Sequence, residues 1–323
     1  MLLLDLDGVV YRGGDAVPHA VDVLGGVRDR GVTVGYITNN ASRTAAAVAE
    51  QLTGYGLQAA ADDVVTSPQA AVRLLAERLP AGAGVLVIGG EGLRSVVAAA
   101  GFRVLTSADD APDAVVQGFS PELSWGDLAE ASFALADRDR LWVATNTDWT
   151  IPVARGIAPG NGTLVSAVHA AVGRLPIVAG KPETPLFAEA VDRFHAVHPC
   201  FVGDRLDTDV AGANAAGMPS AFVLTGVDGV RELLSAQEKA RPTWVLRDLR
   251  GLLEPYPAVR ERSGGVQAGG AVARVRDAAL EIVKPGEPLD LLRAAAAAVH
   301  GSGVSAYALR IPDAVLALGA SLR

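Results

Sequence analysis

What most constrains this chain is a regular alternation of short apolar or β-branched runs with stretches of helical period. Over the first 70 residues the pattern predicts a buried strand at 2–6, a helix at 20–30, a strand at 33–38, a helix at 42–53 capped by Ser42 or Asn40, and a short strand at 64–66. Such alternation builds βαβ units and a parallel sheet, and a parallel sheet presents ligands to the carboxyl ends of its strands.

The pattern resumes with strands at 85–88, 114–118 and 142–145 and helices at 93–100, 125–136 and 163–172, which reads as a second α/β domain. A third stretch predicts helices at 185–195 and 208–216, strands at 200–202, 221–224 and 244–246, and a helix at 247–253. Residues 254–270 carry Pro-Tyr-Pro and two Gly-Gly pairs, the chemistry of a linker. Beyond it the chain suggests a strand at 271–283, a helix at 289–299, a strand at 305–310 and a closing apolar segment. That is too small a core to be stable without docking.

Composition sets the class of partner. Half of the 323 residues are hydrophobic and one fifth are charged, which suits a globular protein large enough for two domains. The net charge of -8 and the lack of any Lys/Arg run argue against nucleic acid or a membrane surface and favour a small ligand. The single cysteine, Cys200, excludes an internal disulfide and a multi-cysteine metal site. It reads as a small buried apolar residue in a reducing, cytoplasmic compartment. The apolar start at Met1 has no basic segment before it and meets Asp5 at once, unlike a secretion signal.

Four segments fall at the carboxyl ends of predicted strands: Asp5-Leu6-Asp7-Gly8, Thr38-Asn39-Asn40, Gly180-Lys181-Pro182, and the run from Gly203 to Asp209. In a parallel sheet such ends face one crevice. A carboxylate closing an apolar strand is costly unless it is paired or binds a metal. Asp5, Asp7 and Asp204 supply the hard oxygens that magnesium prefers. Thr38 opens a helix whose amides attract phosphate, and Lys181 neutralises carboxylate and phosphate charge. Plainer roles exist for each residue taken singly. Thr38 to Asn40 also suits a helix cap, Asp207 and Asp209 suit a helix N-terminus, and Asn146 and Asp148 suit a turn.

Together these motifs resemble the haloacid dehalogenase superfamily, and their order and spacing resemble its NagD-like phosphatase branch, over about residues 1 to 255. The resemblance implies an α/β fold with a Rossmann-like core. The core would occupy 1–79 and 179–255, an inserted α/β cap 80–178, and a linker with a small α+β appendage 256–323. It also implies a magnesium-dependent hydrolase of small phosphate monoesters. Asp5 is then nucleophile and metal ligand, and Asp7 is general acid/base and lends its carbonyl to the metal. Asp204 is the third protein ligand, and Asp209 a second-layer or water-mediated one. Thr38, Asn39 and Asn40 bind the phosphoryl group and Lys181 steadies the transition state. The similarity of residues 144–148 to the family's cap implies that Asn146 and Asp148, with the Gly160-Asn161-Gly162 turn, face the core.

Asp7 separates chemistries within the superfamily: members that attack carbon lack it, and transport ATPases carry Thr there, so it favours a phosphatase or mutase. Too few positions separate Asp5 from Thr38 for a cap, whereas about 140 lie between Asn40 and Lys181, room for one that closes over small substrates. Among the small phosphates that the resemblance implies as substrates, few aromatics near the candidate substrate loop to stack a ring favour glycerol 3-phosphate. Phosphoglycolate, pyridoxal phosphate and nucleotides are the alternatives, beside a binding protein that has lost turnover. Homo-oligomerisation through the cap or the appendage stays open.

Overall fold

The computed structural model describes residues 1–153 and 155–322. They form two compact units, Met1–Val34 with His198–Arg323, and Gly35–Val197.

In the first unit the strands Leu2–Leu4, Cys200–Gly203, Ser220–Val223 and Trp244–Leu246 run parallel in that spatial order, with Leu3 opposite Phe201, Phe201 opposite Ser220 and Ala221 opposite Trp244. Leu3, Leu4, Phe201, Val202 and Phe222 are wholly buried, as strands covered on both faces must be. The carboxyl ends of two neighbouring strands therefore carry Asp5 and Asp204 side by side.

Residues 254–270, expected as a linker, are ordered structure. Val259–Arg262 and Gly265–Ala268 form a hairpin, and with Ala271–Arg276 and Ala279–Lys284 they complete a four-stranded antiparallel sheet. The glycine pairs serve as tight turns: Gly265 and Gly269 have φ of 136° and 50°, open to glycine at little cost. The single strand expected at 271–283 is folded in two at Asp277 and Ala278, both at positive φ, as the tightest hairpin turns require. The strand expected at 305–310 is a helical turn, Ala306–Ala308, followed by a bridge from Arg310 to Ala279 at the sheet.

Helix Pro288–Gly301 covers the inner face of this sheet. Its Leu291, Leu292, Ala295 and Val299 share one apolar cluster with Phe222, Leu233, Leu234 and Val245. Polar anchors add direction: Arg293 Nε donates to the Val245 carbonyl at 3.0 Å, its guanidinium lies 4.3 Å from the Tyr256 ring centre, and His300 Nε2 lies 2.8 Å from the Leu233 carbonyl oxygen. The C-terminal segment is thus docked on the parallel sheet's helices.

In the second unit Val34–Thr38 pairs in parallel with Val64–Thr66. A separate five-stranded parallel sheet has the order Ile177–Val178, Leu141–Ala144, Ala114–Gln117, Gly84–Ile88, Arg103–Leu105. Helices Trp125–Ala134 and Asn161–Val172 bury Ala131, Ala134, Val165 and Val168 against it. The helix expected from 42 begins later, at Ala45, because Thr44 rather than Ser42 or Asn40 caps it, its side chain accepting from the Ala47 amide at 3.2 Å. An unexpected hairpin, Thr150–Val153 with Gly156–Pro159, follows Trp149. The chain is an α/β protein with parallel sheets and an α+β C-terminal segment. Among the described residues no helix is long and apolar enough to cross a membrane.

Candidate active site

The first unit gathers carboxylates. Asp5, 9% exposed, Asp204, 1% exposed, and Asp209, fully buried, each offer one oxygen within 4.8 Å of the others. Asp5 is held by its amide, which donates to the Val202 carbonyl at 2.9 Å and continues the strand register. Asp204 Oδ2 accepts from the Val227 amide at 2.6 Å. Asp209 reaches back because residues Leu206–Val210 form a π-type turn, wider than an α-turn, which brings its Oδ2 to 3.1 Å from the amides of both Asp204 and Arg205.

Glycines make the room. A Cβ on Gly8 or Gly226 would run into the Asp204 carboxylate, and one on Gly203 into Asp209. The Thr225 hydroxyl ties this wall together by donating to the Gly8 carbonyl at 2.6 Å, and Arg12 donates to the carbonyls of Thr225 and Gly226. Burial raises the Asp228 carboxyl above the ordinary carboxylate range, against the Leu206 amide that donates to it at 2.7 Å.

Three buried carboxylates this close repel strongly unless a cation lies among them, and an all-oxygen donor set suits a hard divalent ion such as magnesium. Asp7 is exposed and its carboxylate lies outside the trio. Asp207, ambiguous in the sequence, pairs with Arg205 at 3.0 Å with its side chain 66% exposed. Asp209 is the residue that joins the cluster.

The second unit gathers amides and a lysine. Thr38 is buried, and its hydroxyl accepts from the Asn40 amide at 3.1 Å. Asn39 uses its whole side chain: Nδ2 donates to the Asp148 carboxylate at 3.1 and 3.3 Å and to the Lys181 carbonyl at 3.1 Å, while Oδ1 accepts from the Lys181 amide at 2.8 Å. Asn40 Oδ1 is taken by the amide and hydroxyl of Ser42, both at 2.9 Å, so its side chain shapes the turn. Lys181 is 3% exposed and follows Gly180, where a Cβ would collide with the Thr145 carbonyl and Asn39 Oδ1. Asn146 and Asp148 also belong here: Asn146 Nδ2 donates to the Asn39 carbonyl at 2.7 Å, and its Oδ1 accepts from the Asp148 amide at 3.1 Å.

Two contributors escaped the sequence reading. Ser67 donates to the Asn39 carbonyl at 2.7 Å, hidden in what reads as an ordinary helix start. Gly226 follows the strand Ser220–Val223 and was open to the same strand-end logic that singled out the other four segments.

The haloacid dehalogenase-like hydrolase family pattern matches residues 2–103, and an HAD-hydrolase-like pattern matches 178–252. D-glycerol 3-phosphate phosphatase of Mycobacterium tuberculosis is 45% identical over 92% of this chain and 85% of its own. A crystal structure of glycerol phosphate phosphatase from that organism in complex with magnesium superposes with a TM-score of 0.88 at 43% identity, covering 96% of this chain and 92% of that one. The p-nitrophenyl phosphatase from Archaeoglobus fulgidus gives a TM-score of 0.72 at 28% identity, covering 78% of this chain and 97% of its own. The M. tuberculosis structure therefore extends through most of the C-terminal segment, whereas the archaeal one is the length of the four-motif region. The chain belongs to the haloacid dehalogenase-like hydrolases, in their NagD-like phosphatase branch.

Proposed function

We propose that this protein is a magnesium-dependent phosphatase that hydrolyses a small phosphate monoester, glycerol 3-phosphate, through an aspartyl-phosphate on Asp5. The observation that carries the proposal is the buried trio Asp5, Asp204 and Asp209, an all-oxygen donor set whose carboxylates converge within 4.8 Å, a poor place for three charges without a cation. The likeness to the M. tuberculosis glycerol 3-phosphate phosphatase supports the substrate.

Asp5, Asp204 and Asp209 would hold the ion, which when bound screens the charge of the carboxylates and of the transferring phosphoryl group. Asp5 Oδ attacks phosphorus while the Asp7 carboxyl gives its proton to the departing alkoxide. The Asp7 carboxylate then takes a proton from water, which attacks the aspartyl-phosphate and returns Asp5 with release of inorganic phosphate. The Thr38 hydroxyl and the Asn39 loop bind the phosphoryl oxygens, and the Lys181 ammonium stabilises their charge. Residues 80–178 act as the cap that selects substrate, the catalytic core being 1–79 with 179–255.

The direct experiment is phosphate release from glycerol 3-phosphate, phosphoglycolate, pyridoxal phosphate, a nucleoside monophosphate and p-nitrophenyl phosphate, with magnesium and with EDTA. Trp149, 67% exposed and next to Asp148, is an aromatic surface that keeps the ring-bearing esters in the panel. Highest kcat/KM on glycerol 3-phosphate, lost in EDTA, is the expected result. Absence of magnesium-dependent turnover on every ester overturns the function, and preference for a ring-bearing ester overturns the substrate.

A further inference from the structure

Helix Asn161–Val172 does more than cover a sheet. Asn161 in its first turn is 1% exposed, and its Nδ2 donates to the Asn146 carbonyl at 2.7 Å and, at 3.4 Å, to the Gln117 carbonyl. From Asn146 the bonds run on to the Asn39 carbonyl, and from Asn39 to the main chain of Lys181 on both its amide and its carbonyl.

The glycines on either side show how tightly this start is seated. A Cβ on Gly160 would overlap the Asp148 carbonyl, and one on Gly162 the Thr147 carbonyl. The Gly162 amide donates to Asp148 O at 2.9 Å, the Gly160 amide to Trp149 O at 2.9 Å, and the Thr163 hydroxyl to the same Trp149 oxygen at 2.9 Å. The loop from Asn146 to Trp149 is thus held by the helix start at every residue but Thr147.

This brace is kept at a cost. Asn161 Oδ1 has no hydrogen-bond partner among the described residues, nor has either end of the fully buried Gln117 side chain. An apolar residue at 161 would avoid that penalty, so the amide is worth its cost only for the bond it makes to the loop.

We propose that Asn161 is a positioning residue for phosphoryl binding: through Asn146 it fixes Asn39 and hence the backbone that carries Lys181. The proposal rests on the phosphatase reading above. Asn161 touches no substrate itself, and it acts alike on every phosphate ester because the groups it positions belong to the phosphoryl end.

The test is kinetic. Asn161→Ala is expected to raise KM for every ester, and the competitive inhibition constant of inorganic phosphate, by a common factor of about tenfold, while leaving the magnesium activation constant unchanged. In an Asn39→Ala background the same substitution should add much less, since the side-chain link from Asn39 to the Lys181 main chain is already cut while only the Asn146 bond to the residue-39 carbonyl remains. An unchanged inhibition constant in folded Asn161→Ala overturns the proposal. So does an equal effect in both backgrounds, or a loss confined to one ester. Should Asn161→Ala fail to fold, Asn161→Ser, which keeps a small polar side chain but cannot span to Asn146, is put through the same comparison. A wild-type enzyme without turnover sinks the phosphatase reading instead, so the two failures are distinct.

Discussion

Asp5→Asn separates catalysis from stability in opposite directions. The amide keeps the shape of the side chain and removes one of three clustered charges. With oxygens within 4.8 Å of one another, each carboxylate pair repels by about 3.5 kcal/mol at an effective dielectric near 20, and Asp5 takes part in two of the three pairs. Amides at Asp204 and Asp209 and solvent at the partly open Asp5 offset most of that, leaving a relief of about 1–3 kcal/mol. In EDTA the variant should therefore melt above the wild type, by about 2–4 °C for each kcal/mol. Magnesium should reverse the order, raising the wild-type midpoint more, because a ligand's stabilisation grows with the logarithm of its affinity for the folded state. Phosphate release should fall to background. Scanning calorimetry with EDTA and with saturating magnesium decides the matter. A variant that melts below the wild type in EDTA, and gains as much from magnesium, would refute the reasoning that this trio is strained without a cation.

Two further outcomes concern the C-terminal segment. Leu292→Ala, at a fully buried position in the cluster shared with Leu233 and Val245, should cost about 2–5 kcal/mol by denaturant unfolding with turnover per folded molecule unchanged; a loss of turnover would give the segment a catalytic part. Burial depresses His300 below its ordinary 6.5, against its bond to the Leu233 carbonyl. The unfolded chain then takes up this proton more readily, so the stability is complete above about pH 6.5 and is lost as pH falls through the depressed folded value. His300→Gln should flatten that part of the thermal midpoint's pH profile between pH 5 and 8, and an unchanged profile would count against it.

The sequence by itself determined the family and the class of fold. Alternating apolar runs dictate parallel strands because a strand covered on both faces has no polar side, and the strand-end motifs follow from where such a sheet exposes its carbonyl ends. Asp5, Asp204 and Lys181 were legible because each is a charge set against an apolar run. Local pattern could not show which of Asp207 and Asp209 turns inward, since both suit a helix start; a wide turn and the space left by Gly203 decide it. Nor could it show that the glycine pairs after Glu254 are hairpin turns rather than a linker, because the same φ freedom serves both and only the partner strands and helix Pro288–Gly301 choose. The amide relay from Asn161 to Asn39 was likewise invisible, for it joins residues more than 100 positions apart, and hydrogen bonds between distant loops exist only once the backbone has brought them together.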